Sequence, residues 1–416
     1  MAIPSVKEIM DYSPLNTGGK EVVPEYRRNL YYELKKILEK RCSIAITGLR
    51  RVGKSVMMKQ LLNDHKGFYF SFDEQRYRNV ESLDAVINTF LDQGAKTIAL
   101  DEIGYVDDWA GTVKKYYDRK DVKFVLSGSS SLRVKKGKES LAGRMFDYHL
   151  PPLQFDEYLA MNKITGSDKL WNMHADSEHL SKFLLSGSFP EIHDEPEDIV
   201  KKYVTSVAEK IMFEDIPSVY SVEYKSKLFD LFRYIATFSG SGFSESSVAN
   251  TLGLSRGTVS DYTSYLSSAY LVSLLSEAGS YARALQKKKK AFVNCPSLYR
   301  AFSDSYSEGA EAEVAAFDRI SSWNDKNETK FYRDYQKREV DFVLGRLPIE
   351  VKFRSYIKDE DFDNLLYLME KSHAEKGIFV TKNHFDIKKI KGKNILLVPL
   401  SVFLSCSRKD ILMEGF

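Results

Sequence analysis

Residues 48–55 read Gly-Leu-Arg-Arg-Val-Gly-Lys-Ser, and no other stretch constrains the fold of this chain so tightly. The run fits G-x-x-x-x-G-K-[ST] at every required position. Such a loop works only between a strand and a helix, where its glycines let backbone N–H groups curl round a phosphate and the helix adds its N-terminal dipole. The flanks supply both elements: Cys42 to Thr47 runs apolar into Gly48, and Val56 to Leu62 resumes helical periodicity. Gly48, Arg51, Gly53, Lys54, Ser55 and Val56 are therefore the expected nucleotide-binding residues. In this geometry Lys54 neutralises the β- and γ-oxygens and the Ser55 hydroxyl ligates magnesium.

A second run supports the first. Ile98-Ala99-Leu100 is apolar and ends in Asp101-Glu102, the pattern of a Walker B strand. Asp101 is expected to hold the magnesium through water while Glu102 polarises the attacking water, two tasks that one carboxylate cannot perform together. The strand Lys123 to Leu126 leads into Ser127-Gly128-Ser129-Ser130-Ser131, whose first hydroxyl, Ser127, is placed to sense the γ-phosphate or orient the water. Short apolar runs alternating with helical stretches over residues 20–150 predict an α/β fold, the mostly parallel sheet of a P-loop NTPase.

The chain is long enough, at 416 residues with 43% hydrophobic, to build two to four domains. Its three cysteines, Cys42, Cys295 and Cys406, are far apart and lack CxxC spacing, which argues against a disulfide framework or a structural zinc site. The leader carries charges and a proline where a secretory segment needs an apolar run, and no stretch approaches ~18 uninterrupted apolar residues. A cytoplasmic protein with no membrane association is expected. Net charge is +3, from 61 basic and 58 acidic residues, so any nucleic-acid surface must be local. The seven histidines show no ligand spacing.

Beyond residue 150 the pattern changes. Residues 151–224 read as a helical lid or connector, with helices at Phe155 to Asn162, Glu178 to Leu185 and Ile199 to Phe213. Within 225–290, Ser244 to Leu252 and Ser255 to Ala269 are two helices joined at Gly253, a helix-turn-helix spacing that presents Arg256 on its second helix. The run Lys287, Lys288, Lys289 and Lys290, with Arg283 and Arg300 nearby, is the densest positive segment. It reads either as a follower of DNA phosphates or as a solvated loop. Residues 291–416 form a second α/β unit. There, Arg338 to Lys352 predicts a hairpin turning on Gly345-Arg346, with Leu344 opposite Leu347, Asp341 opposite Glu350 and Glu339 opposite Lys352. Opposed carboxylates need a cation, either Lys352 or a divalent metal, a second Mg2+ or Mn2+. A salt-bridge ladder is the other reading. Asp-x8-Glu-x-Lys is also the spacing of the PD-(D/E)XK nuclease core.

The stretches Ile46-Thr47-Gly48 through Ser55, Ala99-Leu100-Asp101-Glu102-Ile103, Trp109, Leu126-Ser127-Gly128-Ser129-Ser130, Leu141-Ala142-Gly143-Arg144 and Pro152-Leu153 together resemble the predicted ATPases of the AAA superfamily widespread in archaea and bacteria. The likeness covers nearly the whole chain. It implies an ATPase core, a helical region, a winged helix and a restriction-endonuclease-like C-terminal domain, with ATP as the nucleotide. By position it makes Arg144 an arginine finger or sensor, which in trans would require an oligomer; an exposed arginine at a strand entrance is the plainer reading. It also assigns Glu313 as a further acidic residue of the nuclease-like site with Asp341, Glu350 and Lys352. One departure stands out: Asn294-Cys295 replaces an aspartate that the family tends to carry. The expected function is an ATP-driven switch or motor acting on DNA. The alternative is a regulatory ATPase whose C-terminal modules bind a protein partner without nuclease chemistry.

Overall fold

The computed structural model describes residues 2–128, 141–164, 177–278, 289–323 and 329–413. The chain forms two compact units, residues 1–151 and 152–416.

In the first unit, β1 (Ser43–Thr47), β2 (Phe68–Ser71), β3 (Thr97–Asp101), β4 (Lys123–Gly128) and β5 (Met145–His149) are all parallel, in the order β2-β3-β4-β1-β5. Parallel neighbours need crossovers, and the helices Lys54–His65, Val80–Asp92 and Trp109–Arg119 run between successive strands. Every residue of β1 and β3 is buried, because helices cover both faces of the sheet, and so their sequences run apolar instead of alternating. Phe70, Ile87, Phe90, Leu100, Val113 and Phe124 share one core. Strand β5 has no such run, since an edge position leaves Phe146 and Asp147 exposed; this hides it from a search for apolar segments. The leader folds locally. Ser5 and Glu8 form a reciprocal cap on a helix at Val6–Asp11, and a 3-10 turn follows at Pro14–Thr17.

The register sets the site. Ile46 of β1 lies beside Ser127 of β4, and Leu100 of β3 beside Leu126, so the C-terminal ends of β1, β4 and β3 stand level. Strands in a sheet are ~4.8 Å apart, which puts the ends of β1 and β3 roughly 10 Å from each other across β4.

The second unit begins with helices Phe155–Met161, Ser177–Lys182 and Glu197–Lys210; the latter two run on into π-turns at Phe183–Gly187 and Ile211–Asp215. Helices Lys225–Thr237, Glu245–Leu252 and Arg256–Ser268 follow. Gly253, at φ +65°, makes the left-handed turn between the last two. Beside them a small antiparallel sheet is ordered β6-β8-β7, from β6 (Gly242–Phe243), β7 (Val272–Ser276) and β8 (Lys289–Val293). After the helices Pro296–Phe302 and Glu308–Ser322 comes a mixed sheet ordered β13-β14-β12-β11-β10-β9. Its strands are β9 (Thr329–Arg333), β10 (Glu339–Leu344), β11 (Leu347–Lys352), β12 (Lys376–Thr381), β13 (Asp386–Ile390) and β14 (Lys393–Pro399). Helix Asp363–Lys371 makes the crossover from β11 to the parallel β12. Phe292 of β8 stacks on Phe317 at 4.3 Å and lies 5.8 Å from Phe342 of β10, so the small sheet packs onto the large one through aromatic rings.

Candidate functional site

The loop after β1 adopts backbone conformations that explain its residues. Gly48 has φ +154°, and a Cβ there would stand 2.3 Å from the Leu150 carbonyl oxygen, so only glycine fits. Gly53, at φ +100°, caps the helix Lys54–His65 without a side-chain hydrogen bond, and Arg51 also takes a left-handed φ of +70°. The Lys54 ammonium folds back onto the Gly48 and Leu49 carbonyls at 3.1 and 3.0 Å, closing the cradle from within. Ser55 is exposed, Val56 is half-buried and Arg51 points to solvent. Arg28, which sequence reasoning did not single out, donates to the Val52 and Pro151 carbonyls at 3.1 and 3.0 Å and braces the loop from behind.

Asp101 ends β3 at 3% exposure, held from two sides. Tyr69 Oη donates to its Oδ2 at 2.7 Å, and Ser127 Oγ donates to Oδ1. The Glu102 amide donates to Asp101 Oδ1 at 3.1 Å and lies 3.3 Å from Ser127 Oγ. Glu102 itself adopts φ +52°, a left-handed conformation that costs a residue with a Cβ about 1 kcal/mol or more and that turns it away from the line of β3. Burial, and then the Asp101 charge, push the Tyr69 hydroxyl far above its ordinary pKa, so it remains a donor at any working pH. The structure thus brings Lys54, Ser55, Asp101, Glu102 and Ser127 to one edge of the sheet. Ser129, Ser130 and Ser131 lie outside the described residues.

Arg144 does not join them. It directly precedes β5, and its carbonyl accepts from the Ser43 amide at the N-terminal end of β1, the end opposite the loop. Its guanidinium grips Asp118 with bonds of 2.7 and 3.2 Å. The length of β1, five residues at ~3.3 Å each, separates it from the loop of its own chain, so a sensor role in cis is ruled out.

The expected DNA-contact set also changes. Lys287, Lys288 and Arg283 lie outside the described residues. Arg256 is exposed, yet it and Lys289 both pair with Glu245, at 3.2 and 3.7 Å. Arg300 is spent on a bidentate pair with buried Glu311. Lys290 is the clear correction: strand alternation in β8 turns it inward with Phe292, and it is 2% exposed. Its ammonium meets Glu339, Glu313 and Asp341 at 2.7, 3.0 and 3.3 Å. Burial opposes that charge, but the three carboxylates outweigh it and hold the ammonium above its usual pKa.

The hairpin of the large sheet turns as its spacing predicts, with Gly345 at φ +61° and Leu344 paired with Leu347. Past Phe342 the carboxylates take over: Asp341 Oδ2 accepts from the Val351 amide at 2.9 Å, and Glu350 contacts the Asp341 amide at 3.4 Å and Lys352 at 2.5 Å. Asp341, Glu350, Lys352 and Glu313 are therefore neighbours. Glu339, however, bonds Lys290 and Arg333 rather than Lys352, which removes the expected ladder. Burial, then the nearby Asp341 charge, raise both Glu313 and Glu350 to about 8. Gly240, at φ +82°, packs so closely on the Glu313 carboxylate that a Cβ would stand 2.8 Å from it. Among the described residues no group of three or more His, Cys, Asp or Glu has metal-holding geometry.

A phosphate loop closing β1 of a β2-β3-β4-β1-β5 parallel sheet, with an acid pair ending β3, defines the core of a P-loop NTPase. Residues 40–159 match a family model described as an AAA domain, and the first unit is an AAA-type P-loop ATPase domain. Residues 177–308 and 308–403 match two families described only as domains of unknown function. Among curated proteins, an uncharacterized protein of Methanocaldococcus jannaschii is 26% identical over 445 aligned positions, covering 96% of this chain and 89% of its own. A second uncharacterized protein of that organism is 26% identical over 368, covering 85% and 81%. Among solved structures, RuvB of Thermotoga maritima, a Holliday junction branch migration motor, covers 59% of this chain and 86% of its own at 15% identity and a TM-score of 0.33, a likeness too slight to bear on function. Among the described residues no helix is long and apolar enough to cross a membrane.

Proposed function

We propose that the first unit hydrolyses ATP with magnesium and that the cycle drives a conformational switch in the cytoplasm. One observation carries this reading: Lys54 and Ser55 after β1, Ser127 on β4 and Asp101-Glu102 at the end of β3 stand level along one sheet edge. The residues fit a magnesium–nucleotide. The Gly48 cradle admits no side chain, and the Ser55 hydroxyl and Asp101 carboxylate form a hard oxygen donor set. The ion supplies charge neutralisation between the phosphates. Lys54 leaves its loop carbonyls for the β- and γ-oxygens, the N–H groups from Gly48 to Val56 with Arg51 line the phosphates, Glu102 orients the water, and Ser127, bonded to Asp101, senses the γ-phosphate or helps orient the water. Lys54→Ala and Glu102→Gln should each abolish turnover in a phosphate-release assay. Hydrolysis at wild-type rate in both removes the assignment.

For the output end, the proposal is action on DNA through a winged helix, the helices Glu245–Leu252 and Arg256–Ser268 with strands β6 to β8, and a nuclease-like tail. Asp341, Glu350, Lys352 and Glu313, neighbours across β10, β11 and the preceding helix, support it. Manganese- or magnesium-dependent nicking of plasmid DNA, lost in Asp341→Ala and Lys352→Ala, is its test. Burial of Lys290 among Glu313, Glu339 and Asp341 favours the second reading, a regulatory ATPase that engages a protein partner without cutting. In either case Arg144 can meet a nucleotide only across an interface between copies, a role that requires an oligomer.

A further inference from the structure

We infer that Tyr69 is a positioning residue for Asp101, fixing the oxygen that faces the metal's water shell; this rests on the ATPase reading above. Tyr69 sits on β2, two residues before Ser71, which pairs with Asp101 across the sheet. Residues i and i+2 share a face, so the long phenol runs along that face and its hydroxyl reaches Asp101 Oδ2 at 2.7 Å. Both groups are buried, at 5% and 3% exposure. A carboxylate offers about four lone-pair directions. Ser127 and the Glu102 amide occupy Oδ1, and Tyr69 takes one direction on Oδ2. The remaining direction on Oδ2 is the one free of these three donors. Ser127 alone would leave the carboxylate plane free to turn about one bond; a second donor on the opposite oxygen stops that rotation.

The tyrosine is itself held. β2 is an edge strand, and where a neighbouring strand would lie, the side chain of buried Asn16 takes its place. The Tyr69 amide donates to Asn16 Oδ1 at 2.8 Å, and Asn16 Nδ2 donates to the Tyr69 and Ile9 carbonyls at 3.1 and 2.8 Å. On the other side Lys59, from the helix that begins at the phosphate loop, lies 4.9 Å from the centre of the Tyr69 ring. The leader, the loop helix and the acid strand therefore meet at one phenol.

The test is equilibrium affinity for a fluorescent ADP, measured with magnesium and again in EDTA, on the full chain. Tyr69→Phe keeps the ring and removes only the hydroxyl. It should reduce the magnesium-dependent gain in affinity by about tenfold, the scale of a hydrogen bond to a charged group, while affinity in EDTA is unchanged. Asn16→Ala, which retains the hydroxyl but frees the strand carrying it, should move the same ratio in the same direction and less far. Equal losses with and without magnesium, or no loss at all, overturn the assignment of Tyr69. A wild-type protein that binds the nucleotide no better than Lys54→Ala overturns the ATPase reading instead, so the two failures are distinct.

Discussion

Replacing Lys290 with methionine keeps most of the side-chain volume and removes a charge that three carboxylates share. At 2.7–3.3 Å and an effective dielectric near 20, each ammonium–carboxylate contact is worth about 5 kcal/mol before solvation. Desolvating the ammonium takes back several kcal/mol, and Glu339, 30% exposed, is partly screened by water. Removing one member of a buried pair still costs about 3–5 kcal/mol, because its partners stay behind uncompensated. The cost should depend on pH. Glu313 and Glu350 are raised to about 8 in the folded chain, so the stability linked to their protonation is fully present below about pH 4.5 and is lost as pH rises through 8. Without the Lys290 charge, which pulls its pKa down, Glu313 holds its proton to still higher pH. The deficit of Lys290→Met in urea unfolding followed by circular dichroism should therefore be largest near pH 9 and smallest near pH 5. A deficit under about 1 kcal/mol at pH 9, or one that grows on acidification, would refute Lys290 as the counter-ion of this cluster.

Gly48→Ala forces a Cβ into the Leu150 carbonyl at 2.3 Å; it should cost about 1–3 kcal/mol in thermal stability and abolish nucleotide binding, and a normal affinity would show that the loop does not need that close approach. If Arg144 completes a neighbour's site, turnover per chain should rise with protein concentration in the wild type and stay flat in Arg144→Ala. A concentration-independent loss in that variant would contradict its place at the far end of β1.

Much of this was legible because local chemistry dictated it. Only glycine suits position 48, only a fully covered sheet makes β1 and β3 continuously apolar, and a glycine-first turn at Gly345 set the register that brings Asp341 near Glu350. What stayed hidden depends on tertiary partners. Lys290 belongs to a run of four lysines that reads as a follower of DNA phosphates or a solvated loop, yet β8 alternation buries it with Phe292, and no spacing rule links it to Glu313 or Asp341 far along the chain. Tyr69 is one of three aromatics in a row at residues 68–70, and its hydroxyl acquires meaning only once β2 lies beside β3. For Arg144 the plainer reading, an arginine at a strand entrance, matches its place directly before β5, but an edge strand without an apolar run gave no sign of which end of the sheet it would reach.

The most direct test of the central claim is a single-turnover measurement on Glu102→Gln. Glutamine preserves the shape of the side chain and the left-handed turn at φ +52° but cannot serve as a base. The account predicts that magnesium–ATP binds with near wild-type affinity while hydrolysis slows by roughly 10²–10⁴-fold, the usual contribution of a positioned general base. Hydrolysis within a few fold of wild type would contradict it.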